Sequence, residues 1–165
     1  MRATHKIALA IFALVIGAVP SSAWSADSLV GMWRVVSNTA EETESKAVHK
    51  FYGDNPSGYL IYTEDGRWMQ LITDSTRKPP AAPKATDAEA AELWRTMAAE
   101  AGTYKIEGDK ITGLVEVGSN PAFAGTHFSV SFEVNGDRFQ YKAGPFMSGI
   151  LGKEIVYTRV FERVK

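Results

Sequence analysis

Phe128-Ser129-Val130-Ser131-Phe132-Glu133-Val134-Asn135-Gly136-Asp137-Arg138-Phe139-Gln140-Tyr141 alternates apolar and polar residues on both sides of an Asn-Gly pair. A period of two puts successive side chains on opposite faces of a strand. Asn-Gly is the preferred centre of a two-residue hairpin turn, whose central positions need positive φ. Pairing outward from that turn sets Glu133 against Arg138, Phe132 against Phe139 and Val130 against Tyr141. One face then carries Phe128, Val130, Phe132, Phe139 and Tyr141, and the other is polar and charge-paired. Such one-sided strands belong to an antiparallel sheet with a single oily face.

The same grammar recurs upstream. A turn at Gly108-Asp109 sets Ile106 against Ile111 and Tyr104 against Gly113. A turn at Asp65-Gly66 sets Tyr62 against Met69 and Leu60 against Leu71. The second face of that hairpin, Tyr59, Ile61, Trp68 and Ile72, is also apolar, so it calls for a cover. The expected cover is a helix opening at the capping box Thr86-Asp87-Ala88-Glu89. Its apolar stripe is Ala90, Leu93, Trp94, Met97 and Ala101, and Gly102 ends it. Packing on the outside of the hairpin is favoured over a lid at the mouth. Further strands are expected at Leu29 to Asn38, Val48 to Tyr52 and Glu154 to Arg163.

Together these segments predict an all-β chain: a closed antiparallel up-and-down barrel of about eight or nine strands with one helix inserted mid-sequence. Residues 119–125 and 144–152 are loops rich in glycine and proline that carry large apolar side chains. They either tuck into the core or ring an opening.

The barrel is expected to occupy residues 27–165. Before it, Arg2, His5 and Lys6 precede the uncharged apolar run Ile7 to Val19 and the small residues Pro20-Ser21-Ser22-Ala23. This is the pattern of a secretory signal peptide, residues 1–23, with cleavage after Ala23, Ser25 or Ala26. The apolar run is shorter than the roughly 20 residues of a membrane span, so no membrane insertion is expected once the signal is removed. The expected location is the periplasm or outside the cell.

The chain has 165 residues, no cysteine and a formal charge of −1. An exported chain without cysteine must hold its fold by its core alone. No basic stripe follows the signal, which argues against nucleic acid. His49 and His127 are the only histidines past the signal, and neither has a second ligand at zinc-site spacing, so no metal is expected.

In this order the residues resemble the bacterial lipocalin-like domain family. The segments that carry the likeness are Leu29-Val30-Gly31-Met32-Trp33-Arg34-Val35-Val36-Ser37, Gly58-Tyr59-Leu60-Ile61-Tyr62-Thr63-Glu64-Asp65-Gly66-Arg67 and Gly102-Thr103-Tyr104. Asn120-Pro121 to Gly125-Thr126, Gly136-Asp137-Arg138, Gly152-Lys153-Glu154 and Phe161-Glu162-Arg163 follow. The resemblance implies a barrel whose closed end is plugged by Trp33 after Gly31, with an arginine of the last strand over the indole. Arg163 matches that position, and Arg159 has the same parity. Gly113-Leu114 and Val130 stand where relatives commonly carry histidines and an arginine. If relatives run chemistry on those groups, the resemblance implies that this chain does not share it.

The residues themselves offer little catalysis. His49 is the one weak candidate for a general base, and the acids Asp54, Glu64 and Asp65 fall in turns, where carboxylates bond to backbone amides. The expected function is binding of a small apolar or amphipathic molecule, with no cofactor. The candidate contacts are Leu60, Tyr62, Met69, Leu71, Tyr104, Phe128, Val130, Phe132, Phe139 and Tyr141; Tyr157 is a further candidate for an inward-facing tyrosine. Two other readings stand beside it. One is a cofactor-free isomerase, cyclase or hydrolase acting inside the barrel on a lipid-like or polyketide-like substrate; the other is a filled structural barrel without a ligand.

Overall fold

The computed structural model describes residues 29–165. The signal-peptide reading lies outside the described residues. Nine strands follow: β1 (Gly31–Glu42), β2 (Val48–Lys50), β3 (Ser57–Tyr62), β4 (Arg67–Thr73), β5 (Met97–Glu107), β6 (Lys110–Gly118), β7 (His127–Asn135), β8 (Arg138–Met147) and β9 (Glu154–Arg163). A single α-helix among the described residues, α1 (Asp87–Arg95), separates β4 from β5. Every strand pairs antiparallel with its neighbour, and β9 returns to pair with β1. The result is a closed eight-stranded barrel, with β2 as an extra strand on the far end of β1.

Loop length decides which side chains enter the barrel. Between β7 and β8 the loop is Gly136-Asp137, because Asn135 pairs with Arg138. Of the turn residues only Gly136 has positive φ, at 58°. The turn therefore sits one residue later than an Asn-Gly centre, and each pairing slides: Phe132 faces Tyr141, Val134 faces Phe139, and Glu133 faces Gln140 rather than Arg138. A two-residue loop in either position preserves parity, so the aromatic face still points inward.

Between β3 and β4 the parity breaks. The loop holds three residues, Glu64-Asp65-Gly66, clamped by Thr63 N–H to the Arg67 carbonyl at 2.9 Å and by Arg67 N–H to the Thr63 hydroxyl at 3.1 Å. Gly66 occupies the positive-φ position at 79° that a three-residue hairpin loop needs. An odd loop slips the register by one and turns every β4 side chain to the other face. Tyr62 pairs with Trp68, Leu60 with Gln70 and Tyr59 with Leu71. Met69 and Leu71 are consequently on the outside, 53% and 50% exposed, while Trp68 and Ile72 are buried. The expected pairs Tyr62–Met69 and Leu60–Leu71 do not form.

The helix is also shorter than its stripe. The capping box is present, with Glu89 N–H donating to the Thr86 hydroxyl and Thr86 N–H donating to the Glu89 carboxylate. The helix stops at Arg95, where the Thr96 hydroxyl bonds to the Glu92 carbonyl at 2.7 Å. Met97, Ala101 and Gly102 lie in β5, because the sheet supplies ladder partners, β4 for Met97 and both β4 and β6 for Ala101 and Gly102, and overrides a helical spacing. None of the helix residues is buried. Trp94 Nε1 donates to the Ser119 carbonyl and Arg77 donates to the Leu93 carbonyl, which moors the helix beside β5 and β6. The outer face of β3–β4 is left uncovered, with Tyr59 46% exposed.

One end of the barrel is solid. Trp33, Phe139 and Phe161 are fully buried, and Phe132 and Val134 nearly so. Phe139 lies at the hub, with ring centroids 5.3 Å from Trp33 and 5.4 Å from Phe161. The Arg163 guanidinium lies 4.1 Å from the Trp33 ring centroid, and its Nη1 donates to the Val30 carbonyl. Trp33 Nε1 donates to the Leu29 carbonyl at 2.7 Å. Gly31 adopts φ +130°, a backbone conformation that favours glycine, and a Cβ there would also lie 2.9 Å from Arg163 Nη1 and push the guanidinium aside.

Candidate functional site

Away from the Trp33 plug the barrel opens into a cavity of about 260 Å³. Leu60 and Tyr62 of β3, Trp68 of β4, Phe128 and Val130 of β7 and Tyr141 of β8 form its apolar wall. The half-exposed Phe123, from the short 3-10 turn Pro121–Phe123, and Thr126 reach it from the loop before β7.

A polar cluster interrupts that wall. Arg159 of β9 is 5% exposed, and its guanidinium donates to Gln70 Oε1 and to the Tyr157 hydroxyl. Gln70 Nε2 passes the chain on to Glu100 Oε2 at 2.7 Å. Gln70 and Glu100 face each other directly across β4 and β5. The guanidinium also stands 5.2 Å from the Tyr157 ring and 5.6 Å from the Tyr141 ring. All four residues of the chain Glu100–Gln70–Arg159–Tyr157 line the cavity.

Burial pushes the Tyr62 phenol well above its ordinary value, with the neighbouring Tyr141 and Tyr104 adding to it. Burial likewise raises Tyr141, only partly countered by Arg159. At neutral pH the wall therefore presents the neutral hydroxyls of Tyr62 and Tyr141 and one permanent cation, Arg159, beside the Glu100 carboxyl that Gln70 engages. Glu100 is the only carboxylate among the lining residues, and no histidine is among them. The arrangement suits holding a guest by shape, hydroxyls and the guanidinium of Arg159.

The raised phenols set a direction for alkaline stability. Below about pH 10 the buried tyrosines are neutral in both states; above it the unfolded chain ionises while the folded chain holds its protons. Unfolding is then favoured, so the stability present below about pH 10 is lost as pH climbs toward the folded values. Urea midpoints should fall between about pH 9 and pH 11, and more shallowly for Tyr141→Phe. A flat profile would show that these phenols are not held neutral.

The lipocalin-like domain family matches residues 30–158. The chain belongs to that family. Among solved structures, this lipocalin-like chain is similar to a lipocalin-like protein from Bacteroides uniformis ATCC 8492, at 10% identity and a TM-score of 0.46, covering 83% of this chain and 99% of that one. No curated protein matches it.

Of the ten expected contacts, the lipocalin-like barrel brings Leu60, Tyr62, Phe128, Val130 and Tyr141 together around the cavity. Phe132, Phe139 and Tyr104 point inward but are packed: the first two belong to the plug, and Tyr104 donates its hydroxyl to the Thr63 carbonyl. Met69 and Leu71 lie on the outer face, as the odd β3–β4 loop requires. His49 bonds to Glu42 Oε1 at 2.8 Å and does not line the cavity. Trp68, Gln70, Glu100 and Arg159 were not expected in the wall. Arg159 shares parity with Tyr157 and Phe161 on β9, and an arginine on an inward-facing parity was the signal that marked it.

Proposed function

We propose that this lipocalin-like barrel carries one small amphipathic molecule in the half of its interior that the Trp33 plug leaves open. The observation that supports this reading is the unequal filling of one barrel. Phe132, Phe139 and Phe161 pack solid at one end, whereas Leu60, Tyr62, Phe128 and Tyr141 surround empty volume at the other. An eight-stranded barrel has an interior about the size of one small ligand. Its volume lies just under the range of ordinary ligand pockets, which suits a guest smaller than a drug-sized molecule. The wall supplies mostly apolar area and a few polar groups, the usual division of labour in such sites. The basic-then-apolar sequence of the first twenty residues supports export, so the guest would be met outside the cytoplasm.

Native mass spectrometry of protein purified from the exported fraction without detergent tests the reading. A reproducible mass excess over the bare chain, lost on organic extraction, is the expected result. Bare chain across several preparations, together with no uptake of added amphiphiles, would overturn it.

A further inference from the structure

Arg159 is expensive to bury and has been left partly unpaired. Among the described residues no carboxylate lies within 4.0 Å of its guanidinium. Its two side-chain partners, Gln70 Oε1 and the Tyr157 hydroxyl, are neutral, and its Nε–H has no acceptor. Directly across from it on β1, Asn38 is 1% exposed with both amide atoms unpartnered. A second lining residue, Trp68, also has a buried Nε1–H without an acceptor. Arginine and tryptophan side chains only donate. Asn38, whose Oδ1 needs a donor as its Nδ2 needs an acceptor, is not among the residues that line the cavity. Among the lining residues Arg159 and Trp68 the unmet demand is for an acceptor, and at Arg159 it is for negative charge. A buried ion without a counter-charge is strongly disfavoured in a folded protein. Glu100 does not meet the demand, since its Oε2 is engaged by Gln70 Nε2 and Gln70 stands between it and the arginine.

Resting on the carrier reading above, we infer that the guest is an anionic amphiphile whose carboxylate head seats against Arg159 and whose apolar body lies along Leu60, Tyr62, Phe128 and Val130. The Arg159 guanidinium supplies charge-assisted donors to the carboxylate oxygens. Tyr157, already accepting from Arg159, holds the fork in place. Neutral Tyr141 offers a hydroxyl and a ring face beside the same head.

Matched probes test this without altering the protein. Decanoate and decanol share one chain and differ in the head, and calorimetric titration at neutral pH gives both affinities. Decanoate should bind at least about tenfold tighter, the scale of a charge-assisted hydrogen bond. Arg159→Met should narrow that ratio to within about twofold. Replacement of a buried ion by an apolar side chain of similar length is commonly tolerated, so this variant is expected to fold. Equal affinities in the unmodified protein, or tighter binding of decanol, would overturn the carboxylate head and leave the carrier reading standing. Failure of both probes to bind would overturn both.

Discussion

Replacement of Trp33 by alanine is expected to cost about 3–5 kcal/mol of folding stability, the usual range for deleting a fully buried large aromatic. Three losses coincide at this residue. The indole is 0% exposed and packs 5.3 Å from Phe139, the hub of the plug. Its Nε1–H satisfies the Leu29 carbonyl at 2.7 Å. Its face carries the Arg163 guanidinium at 4.1 Å, a desolvated cation–π contact worth about 0.5–2 kcal/mol. Since a domain of this size is stable by only about 5–15 kcal/mol, the variant should unfold at markedly lower urea. Trp33→Phe keeps the ring and leaves the Leu29 carbonyl without its donor, so it should cost nearer to the price of one hydrogen bond plus the trimmed area. Arg163→Met should fall between the parent and Trp33→Ala. A loss under about 1 kcal/mol for Trp33→Ala would mean that the plug does not hold the closed end together.

How far the sequence could be read depended on loop parity more than on strand recognition. An Asn-Gly centre puts the β7–β8 turn one residue early, yet Phe128, Val130, Phe132, Phe139 and Tyr141 stay on the inner face, because both candidate loops hold an even number of residues. At β3–β4 the same reading of Asp-Gly as a two-residue turn failed. Gly66 is there the last residue of a three-residue loop, and Met69 and Leu71 exchanged places with Trp68, Gln70 and Ile72. The apolar character of both faces hid the error, since alternation gave no sign of which face was wet. The helix stripe misled for a related reason. Met97-Ala98-Ala99-Glu100-Ala101 has helical spacing and strong helix formers, but its backbone is claimed along its whole length by β4 and, from Glu100 on, by β6 as well. That misreading concealed Glu100. The parity of β9 turns Arg159 inward in the sequence alone, where it reads as an alternative partner for Trp33. A charge inside a barrel is unusual enough to mark a site in its own right.

The cavity can be closed without disturbing the plug. Ala143 lines it from β8, directly across from Tyr157 on β9, and stands two residues from Tyr141 on the same face. Ala143→Phe sends a ring into the open half, where empty volume rather than packed atoms receives it. Overpacking of a filled core costs about 1–3 kcal/mol; here the added ring gains apolar burial, so the net change in stability should stay within about 1 kcal/mol of the parent. Binding should change far more. A guest of ten carbons and a ring cannot share about 260 Å³, and decanol affinity should fall by at least about a hundredfold, below calorimetric detection. Decanol is the right probe because its head makes no charge contact, which separates loss of space from loss of Arg159. Leu71→Ala removes a comparable apolar side chain from the outer face and should leave decanol binding within about twofold of the parent. The two variants together also test the three-residue β3–β4 loop: if Leu71→Ala abolished binding while Ala143→Phe spared it, Leu71 would face the interior and the guest would lie elsewhere.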